Sequence, residues 1–419
     1  MSKILKETPN PALTSNEVFP WFQPVVDVAT GRVVGYEALA RQYNDEGEVV
    51  SAAHLLRADN DLSPAQRLEL DRSLRVRALK MFAEKGEEGQ VLALNLSPEW
   101  IDSLESFEQL PTLDMIREAG VKPEQVLLEI TEINGDIDRI RELATLYRNA
   151  GVRVAYDDFG AGFQQLDRLM AFTPDVIKLD IRMFSAGEIT HQKRALMQMV
   201  GDLGARMGCK VVFEGVETED EFFLALHCNA SHIQGFLFSP AQAEMVARDT
   251  YKTQVKGLLE SHLDLAIDET ARRQFHHERL KSELMALREL LLAGGDSHLD
   301  SFRPDPDILR FYVCDRQGNQ ISANWSFRDE QWCADETVIG ANWSWRPYFY
   351  QLVGSEDYNT RVMSSTSYSD IATGRVCHTL SLALDERRVL LVDVVDRAQS
   401  PRPMSALIAC QSDRMPSLS

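Results

Sequence analysis

Eight short apolar runs, separated by polar or amphipathic stretches, fill the chain between residues 20 and 240 and constrain the fold more than any other feature. They are WFQPVVDV, RVVGYEALAR, VLALNLS, VLLEIT, VRVAYDD, DVIKLD, KVVFEG and HIQGFLF. Their β-branched and aliphatic content reads as strand. Between them, segments such as PAQRLELDRSLRVRALKMFAEKG and IDRIRELATLYRNAG are amphipathic and read as helix. Regular alternation of strand and helix favours a parallel α/β sheet over a sandwich. Eight such units in this length match a (β/α)8 barrel. Only ATG separates the first two runs, too little for a crossover helix, so they are expected to form a hairpin and leave one strand antiparallel.

Beyond residue 240 the pattern changes. The stretch AQAEMVARDTYKTQVKGLLESHLDLAIDETARRQFHHERLKSELMALRELLLAGG contains no proline and reads as one or more long helices stopping at Gly294 and Gly295. GGD at 294–296 is therefore read as a helix stop and not as the signature of a cyclase. The helix's apolar positions, Val255, Leu258, Leu259, Leu263 and Leu265, then Leu280, Leu284, Leu287 and Leu291, need burial, which suggests a homodimer. Next comes a β-rich region, with a hairpin in LRFYVCDRQGNQISAN and three more strands in RVMSSTSYSDIATGRVCHTLSLALDERRVLLVDVV. The expected divisions are a flexible tail over 1–16, the barrel over 17–250, a linker helix over 251–295, a smaller α+β domain over 296–400 and a disordered tail over 401–419.

Composition narrows the function. A chain of 419 residues is long enough for two or three domains. Its net charge of −20, with no Lys/Arg-rich block, argues against nucleic acid as a partner and requires local cations for any anionic substrate. No run approaches the ~18 apolar residues of a membrane span, so no membrane insertion is expected. MSKILKETPNPALTSNE lacks the apolar core of a signal peptide, so a cytoplasmic location is expected. The six cysteines are scattered without a CxxC pair, which disfavours a zinc site and a disulfide framework.

The polar residues within the strand runs are the functional clue. Glu37, Asn95, Glu129, Asp157, Lys178, Glu214 and Gln234 fall one per run from the second to the eighth. A barrel brings its parallel strand ends together on one face. Taken singly, an acid at a strand end is more often a helix cap or a solvated loop residue. Together, the four carboxylates among these residues repel one another on one face unless cations lie between them. Asp157 and Asp158, adjacent in YDDFGAGF, sharpen the point. An all-oxygen set favours Mg2+ or Mn2+, or Ca2+, over zinc or iron.

YEALAR (36–41), NLS (95–97), EITE (129–132), DDFGAG (157–162), KLD (178–180), FEGVET (213–218) and QGFLFS (234–239) resemble, in order and spacing, the motifs of EAL-domain phosphodiesterases that hydrolyse cyclic di-GMP. The resemblance covers about residues 17–250. It implies that Glu37, Asn95, Glu129 and Asp157 hold one metal ion, with Asp157 shared to a second held by Asp158. It further implies that Lys178 holds the attacking water, that Glu214 acts as base or orients that water, and that Gln234 lies near the second metal or a guanine. Arg41 would contact a phosphate and Leu39 would line a guanine pocket. Glu132 would pin the loop after Asp158, and Glu217 would support the site. That loop departs from the family's DDFGTGYSSL, since Ala161 replaces Thr, Phe163 replaces Tyr, and Gln164 and Gln165 replace serines. Two Mg2+ or Mn2+ ions are the implied cofactors, with Ca2+ inhibitory.

NWSWRPYF (342–349) and YSDIATGRVCHTLS (368–381) resemble PAS/Cache-like sensor domains. Trp343, Trp345, Arg346, Tyr348 and Asp370 are candidates to line a pocket for an unknown small ligand. The competing reading is that these aromatics pack a small β core. The functional alternative to a regulated hydrolase is a non-catalytic cyclic di-GMP receptor that signals through its helix and sensor domain.

Overall fold

A computed structural model describes residues 18–57, 61–96, 110–130, 137–159, 172–184 and 190–396, together with Ile101, Phe107 and Leu169. They fall into two compact units, the first ending at His262 and the second beginning at Leu263.

The first unit runs β1 (Phe19–Asp27), β2 (Val33–Tyr43), β3 (Val49–Ser51), α1 (Pro64–Lys85), β4 (Val91–Leu96), α2 (Pro111–Ala119), β5 (Val126–Ile130), α3 (Ile137–Asn149), β6 (Arg153–Tyr156), β7 (Val176–Asp180), α4 (His191–Met207), β8 (Lys210–Glu214), α5 (Glu219–His227) and β9 (His232–Ile233). The order β1-β9-β8-β7-β6-β5-β4-β2, with β1 paired back to β2, closes an eight-stranded barrel, and β3 is appended to β2. β1 is antiparallel to both its neighbours and the other barrel strands are parallel.

Local sequence sets where the helices begin. Ser63 and Gln66 form a capping box with Pro64 in the first turn of α1, and Thr218 and Glu221 form another at α5. Strand alternation then fixes which residues face inward. Ala93, Leu127 and Ala155 pack together with Val176 as one layer of the barrel. Two residues further along each strand, on the same face, stand Asn95, Glu129, Asp157 and Lys178. An apolar layer thus lies directly beneath a polar one.

Several sequence expectations need correction. The eighth run is strand only at His232 and Ile233, because Gly235 packs so closely that a Cβ there would lie 2.0 Å from the Val216 carbonyl oxygen. The backbone turns instead, with Leu237 N–H donating to that same carbonyl. Residues 240–247 are irregular, with Gln242 bridged to Phe22, residues 248–251 are turn, and the helix α6 covers Lys252–Gly294. It stops at Gly295, which takes a left-handed φ of 60°.

The second unit contains the end of α6 and a sheet of β10 (Ile308–Asp315), β11 (Asn324–Arg328), β12 (Gln331–Asp335), β13 (Val362–Ser364), β14 (Tyr368–Ser369), β15 (Val376–Ala383) and β16 (Arg388–Val395), with the short helix α7 (Pro347–Val353) after β12. The order is β12-β11-β10-β16-β15-β13, and β14 also pairs with β15. Four strands, not three, follow residue 360. One face carries Phe311, Val313, Leu380, Leu382, Leu390 and Val392 against Leu280, Leu284, Leu287 and Leu291 of α6. Those four leucines therefore find burial within their own chain and give no reason for a second copy. Val255, Leu258 and Leu265 are buried too, while Leu263, Ile267 and Phe275 are exposed.

Candidate metal centre

Lys178 stands at the centre of the polar layer. Its Nζ lies 2.6 Å from Glu129 Oε1, 2.6 Å from Glu214 Oε1, 3.2 Å from Glu37 Oε2 and 3.4 Å from Asp157 Oδ1. These side chains come from β7, β5, β8, β2 and the end of β6, so residues scattered over the sequence meet at one mouth of the barrel. Asn95 Nδ2 donates to Glu37 Oε1 at 3.1 Å, and Gln234 Nε2 donates to Glu37 Oε2 at 2.7 Å. Asp157, Asp158 and Glu214 each offer an oxygen within 4.8 Å of the others.

The backbone explains how two adjacent aspartates reach one site. Neighbouring side chains on a strand point to opposite faces. Asp158 instead adopts a left-handed φ of 52°, rare for a residue with a Cβ, and its N–H donates to Asp157 Oδ1 at 3.0 Å. Phe159 N–H then donates to the Lys178 carbonyl, tying the turn to β7.

The electrostatics are those of an acidic cluster short of cations. Burial pushes the Glu129 carboxyl well above its ordinary range, and the nearby Glu37 charge pushes the same way. Burial lifts Glu214 to about 8 although Lys178 pulls it down. Burial and then Asp157 raise Asp158. Burial also works against ionised Glu37, but Lys178 and the hydrogen bonds from Gln234 and Asn95 outweigh it and its pKa falls. Lys178 is raised well above its usual value because four carboxylates outweigh its burial. One ammonium faces Glu37, Glu129, Asp157, Asp158 and Glu214, and Glu129 Oε2 is buried with no hydrogen-bond donor. An orphaned carboxylate oxygen in an all-oxygen donor set is what a hard divalent cation would satisfy.

A cavity of about 760 Å³ opens above this cluster. Leu39, Arg41 and Gln234 line it, and so do Asn95, Glu214 and Glu217. Glu217 is exposed and leads into the α5 cap, where its N–H donates to Glu221. Glu132, Ala161, Phe163, Gln164 and Gln165 lie outside the described residues. Sequence reasoning missed Gln23, which is paired with Glu37 across β1 and β2 and accepts from Gln234 Nε2 at 3.2 Å. Its polar side chain within an apolar run was the available signal. It also missed Arg57, Asp71, Arg75 and Arg182 in the cavity wall, which lie outside the strand runs, and Phe236, which was read only as part of the eighth run.

In the second unit the candidate residues do not share one role. Trp343 and Tyr348 pack in a core cluster with Tyr312, Phe349 and Leu352. The Arg346 guanidinium stacks over Trp345 at 4.0 Å. Asp370 is ion-paired with Arg310 and caps its own turn through Thr373.

A family model described as the EAL domain matches residues 7–241. The chain belongs to the EAL-domain family. A second model, described as an EAL-domain associated signalling protein domain, matches residues 271–397. The EAL-domain protein YkuI of Bacillus subtilis is 26% identical over 392 residues, covering 90% of this chain and 94% of YkuI. The crystal structure of YkuI with cyclic di-GMP and calcium superimposes with a TM-score of 0.78 at 24% identity, over 91% of this chain and 96% of that one, which establishes a common fold. Cyclic di-GMP phosphodiesterase RocR of Pseudomonas aeruginosa is 29% identical over 55% of this chain and 59% of its own length. Probable cyclic di-GMP phosphodiesterase PdeB of Escherichia coli is 30% identical over 55% of this chain, which spans under half of PdeB. Relatives within this family thus include a cyclic di-GMP phosphodiesterase, and no described helix of this member is long and apolar enough to cross a membrane.

Proposed function

We propose that this EAL-domain protein is a divalent-metal-dependent phosphodiesterase that opens cyclic di-GMP to linear pGpG. The observation that carries the reading is the gathering of Glu37, Asn95, Glu129, Asp157, Asp158 and Glu214 around Lys178 beneath one cavity. The activities of RocR and PdeB and the YkuI complex support it.

In this reading Glu37, Asn95, Glu129 and Asp157 hold one ion, and Asp157 and Asp158 hold a second. Bound there, two Mg2+ or Mn2+ ions supply Lewis acidity and a water of lowered pKa for attack on a phosphodiester. Asn95 and Gln234 fix the Glu37 carboxylate by hydrogen bonds to both its oxygens. Lys178 supplies a fixed positive charge and donates toward the attacking oxygen. Glu214, whose Oε1 lies 2.6 Å from Lys178 Nζ at the cavity wall, acts as base or orients that water. Arg41 and Leu39 in the cavity wall serve phosphate and guanine.

The second unit acts as a sensor that regulates turnover, and the protein works as a homodimer. The exposed Leu263, Ile267 and Phe275, spaced in multiples of four along α6, support an interface there. A sheet with β10 and β16 paired at its centre supports a PAS/Cache-like class.

Chromatography of cyclic di-GMP incubated with purified protein and Mg2+ or Mn2+ tests the reading. Wild type should yield pGpG, Glu37→Ala and Asp157→Asn should yield none, and Ca2+ should bind without supporting turnover. Undiminished pGpG from either variant would overturn the mechanism, and nucleotide binding without turnover by wild type would favour the receptor.

A further inference from the structure

Arg182 lies in the single helical turn Ile181–Phe184 that follows β7, four residues beyond Lys178. Its guanidinium is forked onto Asp180. Nε stands 2.9 and 3.0 Å from the two carboxylate oxygens, Nη2 stands 2.6 Å from Oδ2, and the Arg182 backbone N–H donates to Oδ1 at 2.8 Å. The Asp180 side chain is only 13% exposed while that of Arg182 is 64% exposed, so a nearly buried carboxylate anchors an open guanidinium. Arg182 lines the cavity beside Asp157, Asp158, Glu214 and Gly215. Gly215 has a left-handed φ of 70°, and a Cβ there would lie 2.8 Å from Arg182 Nε and 2.9 Å from its Cδ and Cγ. The glycine therefore gives the arginine stem its path as well as making its own turn.

An ordinary exposed Arg–Asp pair contributes little to stability. This one has a two-oxygen fork, a nearly buried acid and a glycine that clears its way, and it stands where the site needs positive charge. Resting on the phosphodiesterase reading above, we propose that Arg182 binds the phosphate released as the ring opens, and that Asp180 is its positioning residue. In that reaction the water oxygen bonds to phosphorus and the P–O3′ bond breaks. One water proton passes to a base and the departing 3′ oxygen gains a proton. The diester had one negative charge, and the terminal monoester that replaces it carries nearly two. The Nη1 side of Arg182 lies outside the Asp180 pair, and a guanidinium fork matches phosphate oxygens. Its contribution therefore grows from substrate to product.

Calorimetric titration of the Mg2+-loaded protein with pGpG and with GpG, the same dinucleotide without the terminal phosphate, tests the proposal without relying on turnover. Wild type should prefer pGpG. Arg182→Ala should weaken pGpG about tenfold and change GpG by less than about twofold, in keeping with loss of a charge-assisted hydrogen bond. Arg182→Lys should recover part of the loss, and Asp180→Asn and Gly215→Ala should fall between. An equal loss for both ligands, no loss for either, or no preference in wild type would overturn the phosphate role. Loss of Mn2+ binding in Asp180→Asn would make Asp180 a metal ligand and overturn its positioning role. If wild type binds pGpG over GpG but leaves cyclic di-GMP intact, the phosphodiesterase reading fails while the Arg182 comparison still stands.

Discussion

Lys178 is the cation in direct ion-pair contact with Glu37, Glu129, Asp157 and Glu214 together. Removing one partner from a buried charged set is costly because the others are left uncompensated. Lys178→Met should therefore lower the stability of metal-free protein by about 3–5 kcal/mol. Added Mg2+ should restore more stability to the variant than it gives wild type, since binding to the folded state stabilises it. Urea unfolding of both proteins with and without Mg2+ checks this, and equal metal effects would contradict it. Most of the site was legible residue by residue, because a charged side chain inside an apolar alternating run has few structural explanations. Gln23 was overlooked as a neutral amide in the one run thought to contribute nothing. Arg182 was not legible because it lies in a single turn without a repeating pattern, and Asp71 because a charged residue on a helix reads as part of its solvated face.

β9 is two residues long, and its His232 ties the strand to titration. Burial lowers the His232 pKa to about 4, although Asp27, with an oxygen 3.8 Å from its Nε2, works in the opposite direction. The folded value lies below the ~6.5 of an unfolded histidine, so the unfolded chain binds the proton more readily below that pH. The contribution is complete above pH ~6.5, falls as the pH drops toward 4, and amounts to about 3 kcal/mol. Denaturant melts of wild type and His232→Gln between pH 4 and 7 should show a flatter profile for the variant. Parallel slopes would rule out His232 as the titrating group. At this scale β4 to β8 were legible from their apolar runs, as the two capping boxes were from their motifs. The end of β9 was not, since HIQGFLF has strand composition and only the approach of Gly235 to the Val216 backbone stops it.

Two units share one chain, and where a truncation falls decides what it tests. Cutting before residue 296 would strip Leu280, Leu284, Leu287 and Leu291 of the sheet that buries them, whereas ending at His262 keeps Val255 and Leu258 with the barrel. The shorter form should keep the metal requirement and change in turnover rate. Rates and affinities matching the full chain, in the presence of cell extract as a ligand source, would remove the second unit from regulation. Light scattering at micromolar concentration checks the homodimer, and a monomer there would exclude it. The barrel was readable as a whole from its alternation, and the second sheet only in part, because β12 and β14 are short edge strands with weak patterning. The ring itself is joined between β9 and β1 by the pairs Val26–Ile233 and Asp27–His232. These residues lie about two hundred positions apart, so their meeting carries a large loop-closure cost and little local reward. Loop-closure cost alone would form the β1–β2 hairpin and the parallel strands, by shorter-range contacts, before the clasp. Gln234 follows the clasp directly, so this donor to Glu37 Oε2 is in place only where the ring is shut.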